Sequence, residues 1–215
     1  MELPLFPLHV VLFPGRTLPL HVFEPRYRRM LEDLTADGAD GRFGVVAIRQ
    51  GREAGGGALL HPVGTVARLT DVRGLPDGRA DITSRGEQRF RITGLMDSRP
   101  YPCAQVELLD DQAPGPRAPE LSAAVRRDLA PYLCALGAPP ELMARLPHDP
   151  VELAYLAAAS LQTEIPEQQR LLELDRVEER LEATLRMLRR EQGIARHIGT
   201  VGSLRPAGPG GPQLN

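Results

Sequence analysis

The side chains best suited to catalysis or metal binding in this sequence are five histidines, and their spacing matches no metal-binding motif. They are His9, His21, His61, His148 and His197. His9 and His21 flank apolar stretches that a sheet could bring together, so a metal or catalytic role stays open for this pair. A histidine pair of this kind is more often structural, and we therefore predict no metal site and no cofactor.

Cysteine, lysine and serine patterns also give no catalytic site. Cys103 and Cys134 lie in different segments without a CxxC motif, which is typical of small buried side chains in a reducing compartment. All 26 basic residues are arginine, so the sequence contains neither a P-loop lysine nor a lysine base beside a serine. It also has no GxSxG motif. We predict that the protein is not an enzyme, with a reaction at His9, His21 or Cys103 as a remote alternative.

Two adjacent acidic residues, Asp110 and Asp111, come at the end of a predicted strand. Successive side chains of a strand point to opposite faces, which argues against a shared acid–base site for these two carboxylates.

The charge distribution argues against nucleic-acid binding. The formal net charge is −2, and acidic and basic residues nearly balance in both halves of the chain. The most suggestive basic stretch is "RGEQRFR", in which Arg85, Arg89 and Arg91 surround Phe90. Because Phe90 and Ile92 alternate with Arg89 and Arg91, we expect the aromatic ring in the core and the arginines facing solvent. RNA binding remains the alternative function.

The first half of the sequence predicts strands with one helix. Strands are expected at residues 17–24, 42–49, 63–96 and 101–111, with breaks at "LPDG" (75–78) and at residues 84–86. Pro25 begins a predicted helix whose apolar side chains fall on one face, namely Tyr27, Met30, Leu31 and Leu34. This stripe is expected to pack on the sheet.

The second half predicts helices. Residues 119–137 are apolar at helical spacing, with Pro131 as an expected kink or break. Asp149 is predicted to cap a helix over residues 149–161, because Pro150 follows it and Glu152 lies three residues later.

A longer amphipathic helix is predicted from Pro166 through residue 196, with Glu182 and Arg186 as an i,i+4 ion pair. Three successive helices favour packing within the chain over a dimeric coiled coil.

Composition divides the chain into a β subdomain (1–111), a linker (112–118), a helical bundle (119–198) and a disordered tail (199–215). No window holds the roughly 18 to 20 unbroken apolar residues of a membrane span, and prolines interrupt the apolar run near the N-terminus. We expect a cytoplasmic protein without membrane contact.

Several segments resemble, in the same order, the N-terminal substrate-recognition domain of Lon proteases. They are "LPLFPLHVVLFPGRTLPLHVFEPRYRRMLEDL", "HPVGTVARL", "LPDGRADITSRGEQRFRI", "LPHDPVELAYLAAASL" and "LLELDRVEERLEATLRML". The likeness covers residues 2–196. Four of its parts are specific when taken together: the opening block, Val-Gly-Thr-x-Ala, Gly-x-x-Arg-Phe and Asp-Arg-Val-Glu-Glu-Arg-Leu.

The resemblance implies an α+β fold, in which a PUA-like β-barrel with one packed helix is followed by a C-terminal helical bundle. It also implies a non-enzymatic module that recognises unfolded or tagged polypeptide. Lon continues into an ATPase module and a protease module, whereas this sequence ends about where those would begin, so a stand-alone form is expected. Cooperation with a separate protease and the oligomeric state stay open.

The opening segment supplies the candidate site residues. Phe6, Phe13, Leu20 and Phe23 are expected in the core, and any of them found exposed becomes a candidate peptide contact. A groove on the barrel or at its junction with the helices is the expected binding site.

Overall fold

The computed structural model describes residues 1–52 and 57–202, with side chains described throughout except at residue 140 and residues 194–202. The described strands are β1 (Glu2–Leu8), β2 (Thr17–Val22), β3 (Arg42–Gln50), β4 (Leu59–Leu60), β5 (Val63–Gly74), β6 (Ala80–Met96) and β7 (Cys103–Leu109). The described helices are α1 (Pro25–Thr35), α2 (Ala118–Ala135), α3 (Pro150–Ser160), α4 (Ile165–Glu173) and α5 (Val177–Gly202), with a 3-10 helix at Pro140–Arg145. The fold is α+β, as predicted.

The strands form one sheet in which the pairing returns to its first member. β1 pairs with β7, followed in order by β6, β5 and β3, and β3 pairs in parallel with β1. β6 is 17 residues long and changes partners along its length. Its first part pairs with β2 and its last part with β7, while β5 lies along its other side.

The helix α1 closes over this sheet as predicted. Tyr27, Met30, Leu31 and Leu34 are its buried residues. The ring of Tyr27 stacks on that of Phe6 from β1, with centroids 4.1 Å apart and planes 10° apart. The apolar stripe that the sequence predicts for α1 is therefore the surface that packs on the sheet.

The helices α2, α3, α4 and α5 share one apolar core. α5 contributes buried side chains at helical spacing, including Leu181, Leu185 and Leu188, so the prediction that it packs within the chain is confirmed. The sheet half of the chain contributes to the same core through Val11, Phe13, Ala47 and Val63. Both halves of the molecule thus meet in a continuous apolar interior.

The predicted N-cap of α3 is confirmed. The carboxylate of Asp149 accepts hydrogen bonds from the backbone N–H groups of Val151 and Glu152, both at 2.9 Å. These are two of the N–H groups that the first turn of a helix leaves without a partner.

Two predicted boundaries are wrong. β6 continues through residues 84–86, because the chain accommodates a register shift opposite Thr65 and Ala67 instead of turning. The helix predicted from Pro166 through residue 196 is interrupted between Glu173 and Val177. The sequence predicts a kink or a break at Pro131, and α2 passes that residue without a break and stops at Ala135.

The predicted tail is covered only in its first residues. α5 extends to Gly202, so residues 199–202 are helical, and residues 203–215 lie outside the described part of the chain. Within the described residues, no helix combines the length and apolar character that crossing a membrane requires.

Candidate functional site

Two arginine side chains are completely buried where the sheet meets the helices. Arg89 on β6 and Arg180 on α5 have no exposed side-chain surface, and each places an Nη2 atom near Oδ1 of Asp111, at 3.3 and 3.5 Å. The hydroxyl of Tyr155 on α3 donates to the same oxygen at 2.5 Å. The guanidinium of Arg180 also lies over the Tyr155 ring, 4.2 Å from its centroid.

These arginines also satisfy the carbonyl groups at the interruption between α4 and α5. Nη1 of Arg89 donates to the carbonyls of Leu172 and Leu174, at 3.1 and 3.0 Å. Nε of Arg180 donates to Leu171 at 3.1 Å, and its Nη2 donates to Leu174. The last carbonyls of a helix have no partner within it and carry its negative end, so two cations are well placed there.

Burial sets the protonation behaviour of this cluster. It lowers the pKa of the Arg180 guanidinium and raises the pKa of the Tyr155 hydroxyl, to which the bond with Asp111 adds a further increase. The tyrosine therefore keeps its proton and continues to donate to Asp111. We assign the cluster a structural role, because Arg89 and Arg180 bind groups of the chain itself.

The prediction that Arg89 faces solvent is wrong, because α4 and α5 cover that face of β6. Phe90 lies in the core as predicted, with 0% of its surface exposed. A Cβ atom at Gly44 or Gly64 would come within 2.8 or 2.6 Å of its ring, so these glycines make room for it. Arg89 and Phe90 are consequently both withdrawn from the basic stretch that is most suggestive of nucleic-acid binding in the sequence.

A cleft of about 390 Å³ opens beside this cluster, and we call it the junction cleft. Its lining includes Arg16, Arg85, Asp111, Tyr155 and Leu156. Partial burial, with the positive charge of Arg85 as a second cause, lowers the pKa of the Arg16 guanidinium. Glu87 and Glu152 line the same cleft, so its surface carries both signs of charge.

Gly86 brings the two sides of the junction cleft together. Its N–H donates to the carbonyl of Arg16 at 2.8 Å, and Gly15 donates to the carbonyl of Gly86 at the same distance. A Cβ atom at Gly86 would lie 2.6 Å from the carbonyl oxygen of Phe13. Only glycine therefore permits this close approach of the opening segment to β6.

A second cleft, of about 380 Å³, is largely apolar, and we call it the sheet cleft. Its apolar lining consists of Pro7, Tyr27, Ala58, Leu60, Leu95, Met96, Pro100, Tyr101, Pro102 and Cys103. Leu95 is 66% exposed, more than any other large apolar side chain in the described part of the chain. Its exposed surface makes the sheet cleft suited to another apolar group.

The wall of the sheet cleft is fixed by hydrogen bonds. The hydroxyl of Tyr101 donates to Asp33 at 2.7 Å, and Arg99 donates to the same hydroxyl at 3.0 Å. Burial raises the pKa of Tyr101 to about 12, and it also raises the pKa of the neighbouring Cys103 thiol. Cys103 is buried as predicted and is held in its unreactive thiol form, whereas Cys134 is exposed, contrary to prediction.

The four candidate residues of the opening segment separate into core and surface. Phe6 and Phe13 are buried, and Leu20 is half-buried against the sheet core. Phe23 is 59% exposed, so its predicted place in the core is wrong and it meets the condition for a peptide contact. Its ring lies 6.1 Å from that of His21. None of the four lines either cleft.

Of the histidine pair considered from the sequence, His21 lies beside an acidic side chain. Nδ1 of His21 lies 2.7 Å from Oδ1 of Asp81 on β6, at the protein surface. Across residues 1–52 and 57–202, no group of three or more His, Cys, Asp or Glu side chains is arranged to hold a metal ion.

Comparison with protein families gives one match across most of the chain. The model of the family described as the ATP-dependent protease La (LON) substrate-binding domain matches residues 2–190. Lon protease 2 of Myxococcus xanthus is 32% identical over 212 residues, which cover 94% of this chain and 25% of that protein. Lon protease of Escherichia coli (strain K12) is 31% identical over 199 residues, which cover 89% of this chain and 25% of that protein. The chain therefore spans about a quarter of the length of these curated relatives.

Solved structures that are similar to this one include two N-terminal domains. The crystal structure of a Lon N-terminal domain protein from Xanthomonas campestris superimposes with a TM-score of 0.64 and 28% identity, over 86% of this chain and 97% of that chain. The N-terminal domain of a Mycobacterium avium complex Lon protease superimposes with a TM-score of 0.71 and 19% identity, over 87% of this chain and 98% of that chain. At that lower identity, the second likeness concerns the fold alone.

Proposed function

Because the chain belongs to the family of ATP-dependent protease La (LON) substrate-binding domains, we propose that it is a non-enzymatic module that recognises polypeptide. The observation that carries the proposal is the exposed Leu95 at the sheet cleft. The ligand is an exposed apolar segment, as unfolded or tagged proteins present.

The lining of the sheet cleft supports this ligand. Burying the surface of a leucine contributes about 1.5–3 kcal/mol, and Leu95 has most of its surface still available. Leu60 belongs to β4, which lies at one end of the strand order and pairs there with β3. An extended peptide could thus pair with a strand edge while its apolar side chains enter the cleft.

Phe23 is a second proposed contact, because it is exposed and lies between β2 and α1, outside the sheet cleft. Phe6, Phe13 and Leu20 are better assigned to packing. Substitution of Leu95 and of Phe23 can distinguish the two proposed surfaces. Neither side chain is buried, so neither substitution should unfold the protein.

The test is binding of an electrically neutral, apolar peptide carrying an uncharged dye, followed by fluorescence anisotropy. We expect Leu95→Ser to weaken binding about tenfold or more, as loss of a buried leucine implies. The matched control is Leu136→Ser, because Leu136 is 50% exposed after α2 and should not contribute. Equal binding by wild type, Leu95→Ser and Phe23→Ser would exclude both surfaces, and no binding by the wild type would refute the function.

We further propose that the closed strand pairing is a PUA-like β-barrel over residues 1–111, linked by residues 112–118 to a helical bundle over 119–198. The return of the pairing from β3 to β1 supports the barrel, and the shared core of the four later helices supports the bundle.

We also propose a cytoplasmic location, where a separate protease could receive the bound polypeptide. Co-purification of a protease with the wild type but not with Leu95→Ser would test that last step.

A further inference from the structure

A third surface lies between α4 and α5, and we call it the helical groove. It has a volume of about 360 Å³ and is lined by Glu167, Arg170, Leu171, Leu174, Ala183, Arg186, Met187 and Arg190. It shares no lining residue with the sheet cleft or the junction cleft. Any ligand bound there would thus be a second one, independent of the function proposed above.

The floor of the helical groove is apolar and adaptable. Leu174, Ala183 and Met187 are partly buried against the helical core and leave the rest of their surface open to the groove. Ala183 and Met187 are one turn apart on α5, and the lining continues to Arg190, a length of about 10 Å. Methionine adapts to differently shaped partners, which suits a surface that binds varied sequences.

The rim of the helical groove has an excess of positive charge, with three arginines against one glutamate. Glu167 is already bound by Arg190, through two contacts of 2.7 and 2.8 Å. The predicted partner of Arg186 is engaged elsewhere, because Glu182 contacts Arg117 at 2.5 Å. Among the described side chains, neither Arg170 nor Arg186 forms a direct ion pair, although the charge of Arg170, after that of Arg190, helps to lower the pKa of Glu167.

We infer that the helical groove binds a polypeptide segment in which apolar side chains alternate with carboxylates. The apolar side chains would lie on Leu174, Ala183 and Met187, and the carboxylates would contact Arg170 and Arg186. Guanidinium groups suit this role, since they bind carboxylates through two parallel hydrogen bonds. The module then has an apolar cleft on the sheet and an acid-selective groove on the helices.

The experiment compares three peptides that carry the same uncharged dye and differ only at their charged positions. The first contains Leu and Glu, the second has Gln for every Glu, and the third has Lys. At low salt, wild type should bind the Glu peptide about tenfold more tightly than the Gln peptide and should not bind the Lys peptide. Equal binding of the Glu and Gln peptides would overturn the inference.

Charge reversal supplies the decisive variant. The double substitution Arg170→Glu and Arg186→Glu should weaken binding of the Glu peptide about tenfold or more and should create binding of the Lys peptide. Arg145→Glu is the matched control, because Arg145 is exposed and lies outside the groove. This substitution should change neither the binding of the Glu peptide nor that of the Lys peptide. Retention of Glu-peptide binding by the double variant would overturn the inference.

Two further outcomes distinguish this site from its alternatives. Leu95→Ser should leave the Glu peptide bound while it weakens the neutral apolar peptide, so failure of one proposal does not imply failure of the other. Analytical ultracentrifugation tests whether a second copy of the chain occupies the groove. A dimer that the double variant abolishes would overturn the assignment to a separate acidic segment.

Discussion

At the scale of single residues, Asp111 is the group on which two buried cations depend. It is about one quarter exposed, and its Oδ1 atom faces Arg89, Arg180 and the hydroxyl of Tyr155. Asp175 also contacts Arg89, but its side chain is 51% exposed and its attraction is weakened by water. The neighbouring Asp110 binds Gln88 at the surface, so the two carboxylates have different partners, although β7 ends at Leu109 and neither residue lies in a strand.

We expect Asp111→Asn to lower the free energy of unfolding by about 3–5 kcal/mol, because it leaves two buried guanidinium groups short of a counter-charge. Urea unfolding followed by circular dichroism would measure this loss. Asp110→Asn is the control and should change stability by about 0.5 kcal/mol or less. Equal effects of the two substitutions would show that Asp111 does not stabilise the buried arginines.

The buried cluster also shows what residue types alone do not reveal. The alternation of Arg89 and Arg91 with Phe90 and Ile92 indicates that the two faces of β6 differ in polarity. It does not indicate whether water or a helix covers the polar face, and here α4 and α5 cover Arg89. The same pattern contains a local indication of the sheet cleft. Leu95 follows Arg91 and Thr93 at alternate positions of β6, on a face where an apolar residue is unexpected.

At the scale of elements, the predictions that succeeded rested on local interactions. The stripe of α1 and the cap of α3 depend on residues within one or two turns, so the sequence was sufficient. At the interruption between α4 and α5, by contrast, two backbone carbonyls accept hydrogen bonds from Arg89, which is distant in the chain. One local signal for it exists, because Asp175 followed three residues later by Glu178 is typical of a helix start.

His61 lies between the sheet and α4. His61 lies in the short link between β4 and β5, and its Nδ1 is 3.8 Å from a carboxylate oxygen of Glu173. Burial lowers its pKa below the ordinary 6.5, although the charge of Glu173 acts in the opposite direction. The protonated imidazole is therefore less favourable in the folded chain than in the unfolded chain.

This shift predicts that stability falls with acidity. Above pH 6.5 both states are neutral at His61, whereas below it the unfolded chain takes up a proton that the folded chain resists. The free energy of unfolding should therefore decrease between pH 7.5 and 5.5, and the decrease should be smaller in His61→Gln. Urea unfolding at both pH values provides the measurement. Identical decreases in the two proteins would contradict a role for His61.

At the scale of the whole molecule, the sheet and the helices should unfold together. Phe13 and Val63 from the sheet half lie in the helical core, and Arg89 binds backbone carbonyls from β6 across the junction. We expect the slowest-exchanging amides of β6 and α5 to report the same opening free energy in native-state hydrogen exchange. A lower value throughout α5 would mean that the helices open independently of the sheet.

The position of β1 in the sheet has a consequence for synthesis on the ribosome. Its parallel partner β3 ends at residue 50, whereas its antiparallel partner β7 begins only at Cys103. A nascent chain must therefore carry β1 with one edge unpaired until β7 has also emerged, and such distant pairings form slowly. During that interval the apolar residues of β1 are exposed to chaperones, so the nascent chain is itself a potential chaperone client.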